Sequence, residues 1–240
     1  TNSVTKSHNH MDDREKHHIR VQKSVINLVC TRCTDGQTAA LERWYNDHVQ
    51  LLMQSDCLQA AHLHRRISTS EAVNADGAYA VPGYLCVYQF ADMGDFVAFD
   101  SGVVMAQVRE ISDRAAGRSS IEIVKRTQYA QLLHRRWQSD QVARVQQASL
   151  LKIAGGDIAD VTRWLNDAFY SLHLRHPLVA AHAWIGEQEL LLMIHAADAV
   201  PRDWLDVASV FAPRPQVLTQ WQIQTTCIGQ WYALIDAILR

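Results

Sequence analysis

Apolar positions along the chain switch between two periods, and the switches predict its elements. Val25–Cys30 is a continuous apolar run between polar flanks, as a buried strand requires. Thr34-Asp35-Gly36-Gln37 follows with the Thr/Gln spacing of a capping box. Leu41, Trp44, Tyr45, His48 and Leu52 then recur at helical spacing and predict an amphipathic helix whose stripe, the His48 imidazole included, faces the sheet. Cys57–Ile67 alternates as a second strand, and Tyr84–Phe90, aromatic and β-branched, reads as a third. The connection between them is polar and carries the turn signal Asp76-Gly77. Asp95–Ala115 is helical in pattern, and Ile121–Thr127 predicts a fourth strand. The order is β-α-β-β-α-β, the ferredoxin-like unit.

The same pattern then returns. Arg43-Trp44-Tyr45-Asn46-Asp47 recurs as Arg163-Trp164-Leu165-Asn166-Asp167, and Leu58-Gln59-Ala60-Ala61-His62 as Leu178-Val179-Ala180-Ala181-His182, both at an offset of 120 residues. Ser149–Ala154 as strand, Asp157–Leu174 as helix, and Leu190–His195 and Val217–Thr225 as strands complete a second unit. The expected fold class is α+β, with two tandem ferredoxin-like repeats, 25–137 and 149–240, joined by a polar, Gln-rich linker at 138–148. A ferredoxin-like sheet leaves one apolar face bare, and a second copy covers it by closing an intrachain dimeric α/β barrel. Residues 1–24 lack apolar periodicity and read as a polar, His-rich tail.

Composition narrows the function classes. Twenty-three basic against twenty-five acidic residues leave a formal charge of −2, which suggests neither a nucleic-acid nor a membrane partner. No apolar run has the length of a membrane span. Five scattered cysteines fit a reducing, cytoplasmic setting better than a disulfide framework. Cys30-x-x-Cys33 precedes the expected helix cap and so lacks the helix N-terminus that a redox dithiol needs. Phosphate-loop, serine-elbow and HExxH patterns are absent.

The residues Trp44-Tyr45-Asn46-Asp47-His48, a strand ending in Arg65-Arg66, and Tyr84-Leu85-Cys86-Val87-Tyr88 resemble the EthD-like branch of the dimeric α/β-barrel superfamily. The resemblance implies a small-molecule ligand in a cleft between helix and sheet. Its range of activities includes lactone isomerases, cyclases, cofactor-free monooxygenases and haem-binding enzymes.

Site expectations follow from both readings. His48, where the second copy has Ala168, is the candidate general base. His64, Arg66 and Tyr88 are the candidate polarising groups, and Trp44, Tyr45, His62 and Tyr84 would contact substrate. His62, His64 and Arg66 share one strand face, as do Tyr84, Tyr88 and Phe90, which also suit a core. His62 recurs as His182 and so suits a structural role, and His195 is a possible polar group of a second-half pocket. The expected function is cofactor-independent proton transfer, of isomerase, cyclase or lyase type, on an aromatic or carbonyl substrate. One pocket lies in the first copy, and the second copy acts as scaffold. No metal or cofactor is expected. The alternatives are a non-catalytic binding protein and a haem or metal barrel using His48, His62 or His64. The chain itself would be a monomeric pseudo-dimer or form a homodimer.

Overall fold

The computed structural model describes residues 23–69, 82–115, 118–137, 143–154, 157–201, 204, 215 and 218–233. The expected tail up to residue 22 and the Asp76-Gly77 turn lie outside them. Eight strands close into one antiparallel barrel: β1 (Val25–Cys33), β2 (Ala60–Thr69), β3 (Tyr84–Phe90), β4 (Ile121–Arg136), β5 (Val145–Ile153), β6 (Leu178–Ile185), β7 (Glu189–Ala196) and β8 (Leu218–Tyr232). Around the barrel they run β1-β3-β2-β8-β5-β7-β6-β4. The order β4-β1-β3-β2 is thus followed by β8-β5-β7-β6, and the two sets join at β2·β8 and β4·β6. Corresponding strands start at the same barrel end, so the axis relating the two sets runs along the barrel.

β4 and β8 are long because each serves two neighbours. Ile121–Ala130 of β4 pairs with β1 and Ala130–Arg136 with β6. Leu218–Thr226 of β8 pairs with β5 and Ile223–Tyr232 with β2. The apolar pattern that predicts a strand ending at Thr127 stops short because the rest of β4 is half-exposed at the join. The linker expected at 138–148 overlaps a strand: Val145–Ala148 belong to β5, with Gln146 and Gln147 buried despite their polarity.

Helices α1 (Thr38–Leu52), α2 (Met93–Ser101), α3 (Val103–Arg114) and α4 (Ile158–His173) cover the outer faces. α1 starts later than the capping box predicts. Asp35 instead accepts from the Gln37 N–H and the Ser120 hydroxyl, and Gly36 turns the chain at φ 75°. Asp157 does cap α4, accepting from the Ala159 N–H at 2.8 Å. The single helix read over 95–115 is two, broken at Gly102, where a β-carbon would sit 2.8 Å from the Ala98 carbonyl.

Three cores result from strand alternation. Ile26, Leu28, Cys30, Leu85, Val87, Ala148, Leu150, Trp184, Leu191 and Met193 fill the barrel interior. The intervening residues pack against helices. Trp44, Tyr45, Tyr84, Tyr88, Phe90 and Phe99 lie under α1–α3, and Trp164, Phe169, Leu192 and Trp204 lie around α4. Among the described residues no helix is long and apolar enough to cross a membrane.

Candidate functional site

At the barrel end where β1, β2, β5 and β6 begin, the interior turns from aliphatic to polar. On β2, Ala61 and Leu63 pack toward the helices, so His62 and His64 point inward. The same alternation sends His182 inward on β6, beside Trp184, and His195 inward on β7, two residues beyond Met193. The His182 and His195 ring centroids are 5.1 Å apart, and the His62 ring stands edge-on to His195 at 6.2 Å and to Tyr232 at 5.5 Å. His134, the cross-strand neighbour of His182, stacks on it at 4.4 Å with the rings 9° from parallel. The set is graded in depth: His134 is exposed, His182 and His195 are half-buried, and His62 is buried.

Gln146 places its Nε2 3.1 Å from His195 Nε2. This contact between the amide and the ring nitrogen fixes the orientation of the His195 ring. Although His134 is largely exposed, partial desolvation of its ring, with Arg136 beside it, pushes its pKa below the ordinary histidine value. Deeper in the barrel, His64 is fully buried and its pKa is pushed down to about 3 by desolvation. Thr225 donates to the Ala148 carbonyl, so it accepts from His64 Nδ1–H at 3.1 Å. Nε2 of His64 is then an unprotonated acceptor with no hydrogen-bond partner among the described residues.

The residues singled out from the sequence disperse. His48 does not face the sheet. Val49, one position on, takes the core position, while His48 stacks on Trp44 at 4.4 Å and bonds Ser112 Oγ on α3 at 2.7 Å. His48 therefore couples two helices outside the barrel, on the opposite side of the sheet from His62 and His64. Tyr45 is buried and bonds Thr31 Oγ1 at 2.9 Å, Tyr84 donates to Glu42 at 2.9 Å, and Tyr88 is fully enclosed by the helix-side core. Trp44 is a core anchor, as is its counterpart Trp164. Arg66 is exposed and, among the described residues, donates to the Pro82 carbonyl at 3.4 Å. Of the set, His62 alone joins the histidine group. Asn166 accepts from Arg135 Nε at 2.8 Å and so ties α4 to β4, whereas among the described residues Asn46 donates to the adjacent Asp47.

His134, Gln146 and Tyr232 were not singled out. The signal for Gln146 was a pair of glutamines at the edge of an apolar run, and His134 sits in a basic cluster that reads as surface. The expectation of a pocket confined to the first copy also changes. At the offset of 120, Ile26 corresponds to Gln146 and His62 to His182. Ala60 pairs with Gln89 where Ala180 pairs with His195. The second copy is thus the more polar one at this end.

Neither alternative cofactor finds its fit. Among the described residues no three His, Cys, Asp or Glu side chains are grouped to hold one metal ion. A haem between helix and sheet would have to displace Tyr45, Tyr88, Phe90 and Phe99 in one half or Trp164 and Phe169 in the other, all buried. His48, the nearest imidazole there, is committed to Ser112 and Trp44.

No family model and no curated protein matches the chain. Solved structures do. A candidate monooxygenase from Fusobacterium nucleatum superposes with a TM-score of 0.61 at 5% identity, over 88% of this chain and 95% of that one. An anthrone oxidase-like protein gives 0.53 at 8% identity over 89% and 94%. A chlorite dismutase variant from Candidatus Nitrospira defluvii gives 0.52 at 6% over 90% and 94%. The chain thus shares an α/β-barrel fold with these structures, and identities this low speak to the fold alone.

Proposed function

We propose that the chain is a small-molecule enzyme whose reaction takes place at the histidine-lined barrel end. It is read as a tandem of two ferredoxin-like repeats, a pseudo-dimer in one chain, with the EthD-like motif of its first helix used for packing. The observation that carries the proposal is the meeting of His62, His134, His182 and His195, from both halves, at one solvent-reaching end of the barrel. Structural histidines are ordinarily single and satisfied, whereas imidazoles in mutual contact over a gradient of burial can accept and relay protons near neutral pH.

The chemistry is cofactor-independent proton transfer on an aromatic or carbonyl substrate. His195, positioned by the Gln146 amide, is the base, and His182 and His62 are the groups that stabilise the resulting anion. The superfamily's oxidase-like and monooxygenase-like members are compatible with this, because abstraction of an acidic proton is a first step that isomerisation, cyclisation and oxygenation can share.

Solvent exchange of the acidic C–H of a β-dicarbonyl compound, followed by NMR in deuterated water, tests the reading whatever product the enzyme forms. The protein should accelerate exchange, and His195→Ala should reduce the acceleration by roughly a hundredfold with the fold retained. Equal exchange rates in the two proteins would remove the assignment.

A further inference from the structure

We propose that the outer face of β5 and β8 carries a binding site for one internal water molecule, formed by Gln147, Ser149 and Gln224. The site is separate from the histidine group and independent of the reaction proposed there. Ala148 and Leu150 point into the barrel, so Gln147 and Ser149 point out, and Gln224 of β8 stands directly opposite Ser149. Such cross-strand neighbours have β-carbons about 4.5–5.5 Å apart, and Gln147 is the next residue of β5 on that face. All three are enclosed, with exposures of 0% for Ser149, 4% for Gln224 and 8% for Gln147. On the other side of β5, Ser149 faces Leu192 and Gln147 faces Ile194, both in the apolar core of the second half.

Gln147 Nε2 donates to the Val200 carbonyl at 3.4 Å. Its Oε1, the Ser149 hydroxyl and Gln224 Nε2 are buried without a hydrogen-bond partner among the described residues. One such group left dry lowers the folding equilibrium constant by roughly fivefold to a hundredfold, and three together would take most of the stability of an ordinary domain. The three complement a single molecule. Gln224 Nε2 donates, Gln147 Oε1 accepts, and the Ser149 hydroxyl does either, so a water can accept from Gln224 and donate to Gln147 and Ser149. Buried waters ordinarily make about three bonds to groups of this kind. The apolar neighbours offer no counter-charge, which selects a neutral occupant. The first copy lacks the arrangement: at the offset of 120 Val29 stands for Ser149, and it faces Arg126 where Ser149 faces Gln224. Val29 is buried as well, so packing at this position does not demand a hydroxyl.

Oxygen-17 relaxation dispersion of the water signal counts long-lived internal waters in the full chain, and urea unfolding measures stability. Ser149→Val, which copies Val29, should remove one water from the count. It should also lower the folding equilibrium constant by about fivefold or more, because Gln147 and Gln224 lose their partner. Adding Gln224→Leu to Ser149→Val should recover part of that loss, whereas Gln224→Leu alone should destabilise. Ser149→Ala, which adds no bulk, should cost about fivefold. A hydroxyl without a water would respond in the opposite sense, since either substitution relieves it. An unchanged water count in Ser149→Val would overturn the proposal. So would a Ser149→Ala protein as stable as the parent or more stable, a result that stays decisive if the valine variant fails to fold.

Discussion

Lowering the pH should destabilise the barrel through one buried side chain, His64. Its ring is fully buried, its Nδ1–H donates to Thr225, and its pKa is pushed down to about 3 by desolvation. In the unfolded chain the same ring titrates near about 6.5. Between these two values the unfolded state binds a proton that the folded state refuses, so stability rises with pH through the window and is complete above it. On acidification the loss approaches about 1.4 kcal/mol per pH unit, or about 2 kcal/mol between pH 7 and pH 5. Urea unfolding at several pH values measures it. Other groups titrate in the same range, so the informative quantity is the difference from His64→Asn, whose amide N–H can replace the bond to Thr225 without titrating. The variant should be weaker at pH 7 by roughly 1–3 kcal/mol for lost packing, with a visibly flatter dependence on acid. Parallel pH profiles for the two proteins would mean that the folded barrel accepts the proton, and the desolvation argument would fail.

At the opposite barrel end, Lys125 and Tyr129 of β4 both donate to Glu189 of β7 and so join the two halves. Glu189→Ala should cost about 2–3 kcal/mol in urea unfolding, mainly from the orphaned Tyr129 hydroxyl, and Glu189→Gln should recover part of it. Gly186→Ala would place a β-carbon 2.9 Å from the Tyr129 ring. A loss of about 1–2 kcal/mol is expected, and an unchanged melting temperature would show that the ring moves aside freely. His48→Ala should lose about 1 kcal/mol with the Ser112 bond and leave proton exchange at the barrel end unaltered. A large fall in exchange rate would return His48 to the chemistry.

The α+β class and most of its elements were legible because strand and helix periodicity is a property of the whole core. Val25–Cys30, Tyr84–Phe90 and the α4 stripe each carry enough buried side chains for the pattern to survive local exceptions. Boundaries failed where the two halves exchange strands. The last residues of β4 and the first of β5 are held by β6, β7 and β8, partners remote in sequence, so Gln146 and Gln147 are buried without an apolar signature. Gly102 escaped for a different reason, since its close approach to the Ala98 carbonyl leaves no mark on hydrophobic spacing.

The site was legible only as strand faces. Alternation places His62, His64 and Arg66 on one side of β2, but it cannot say how far along the barrel each will sit. The register does: His62 stands opposite Gln230 at the mouth, His64 opposite Cys227 inside it, and Arg66 beyond, in solvent. The helical stripe had a comparable ambiguity of one residue, because positions 48 and 49 both lie near the apolar face, and the β-branched Val49 takes the dry one. Retention of His62 as His182 reads in sequence as a structural device. In the barrel the two strands β2 and β6 lie opposite each other, so a residue kept in both copies is delivered twice to the same axis. A repeat of one histidine thereby becomes a cluster, and differences between the halves, Gln146 for Ile26 and His195 for Gln89, break its symmetry and make one side the more polar.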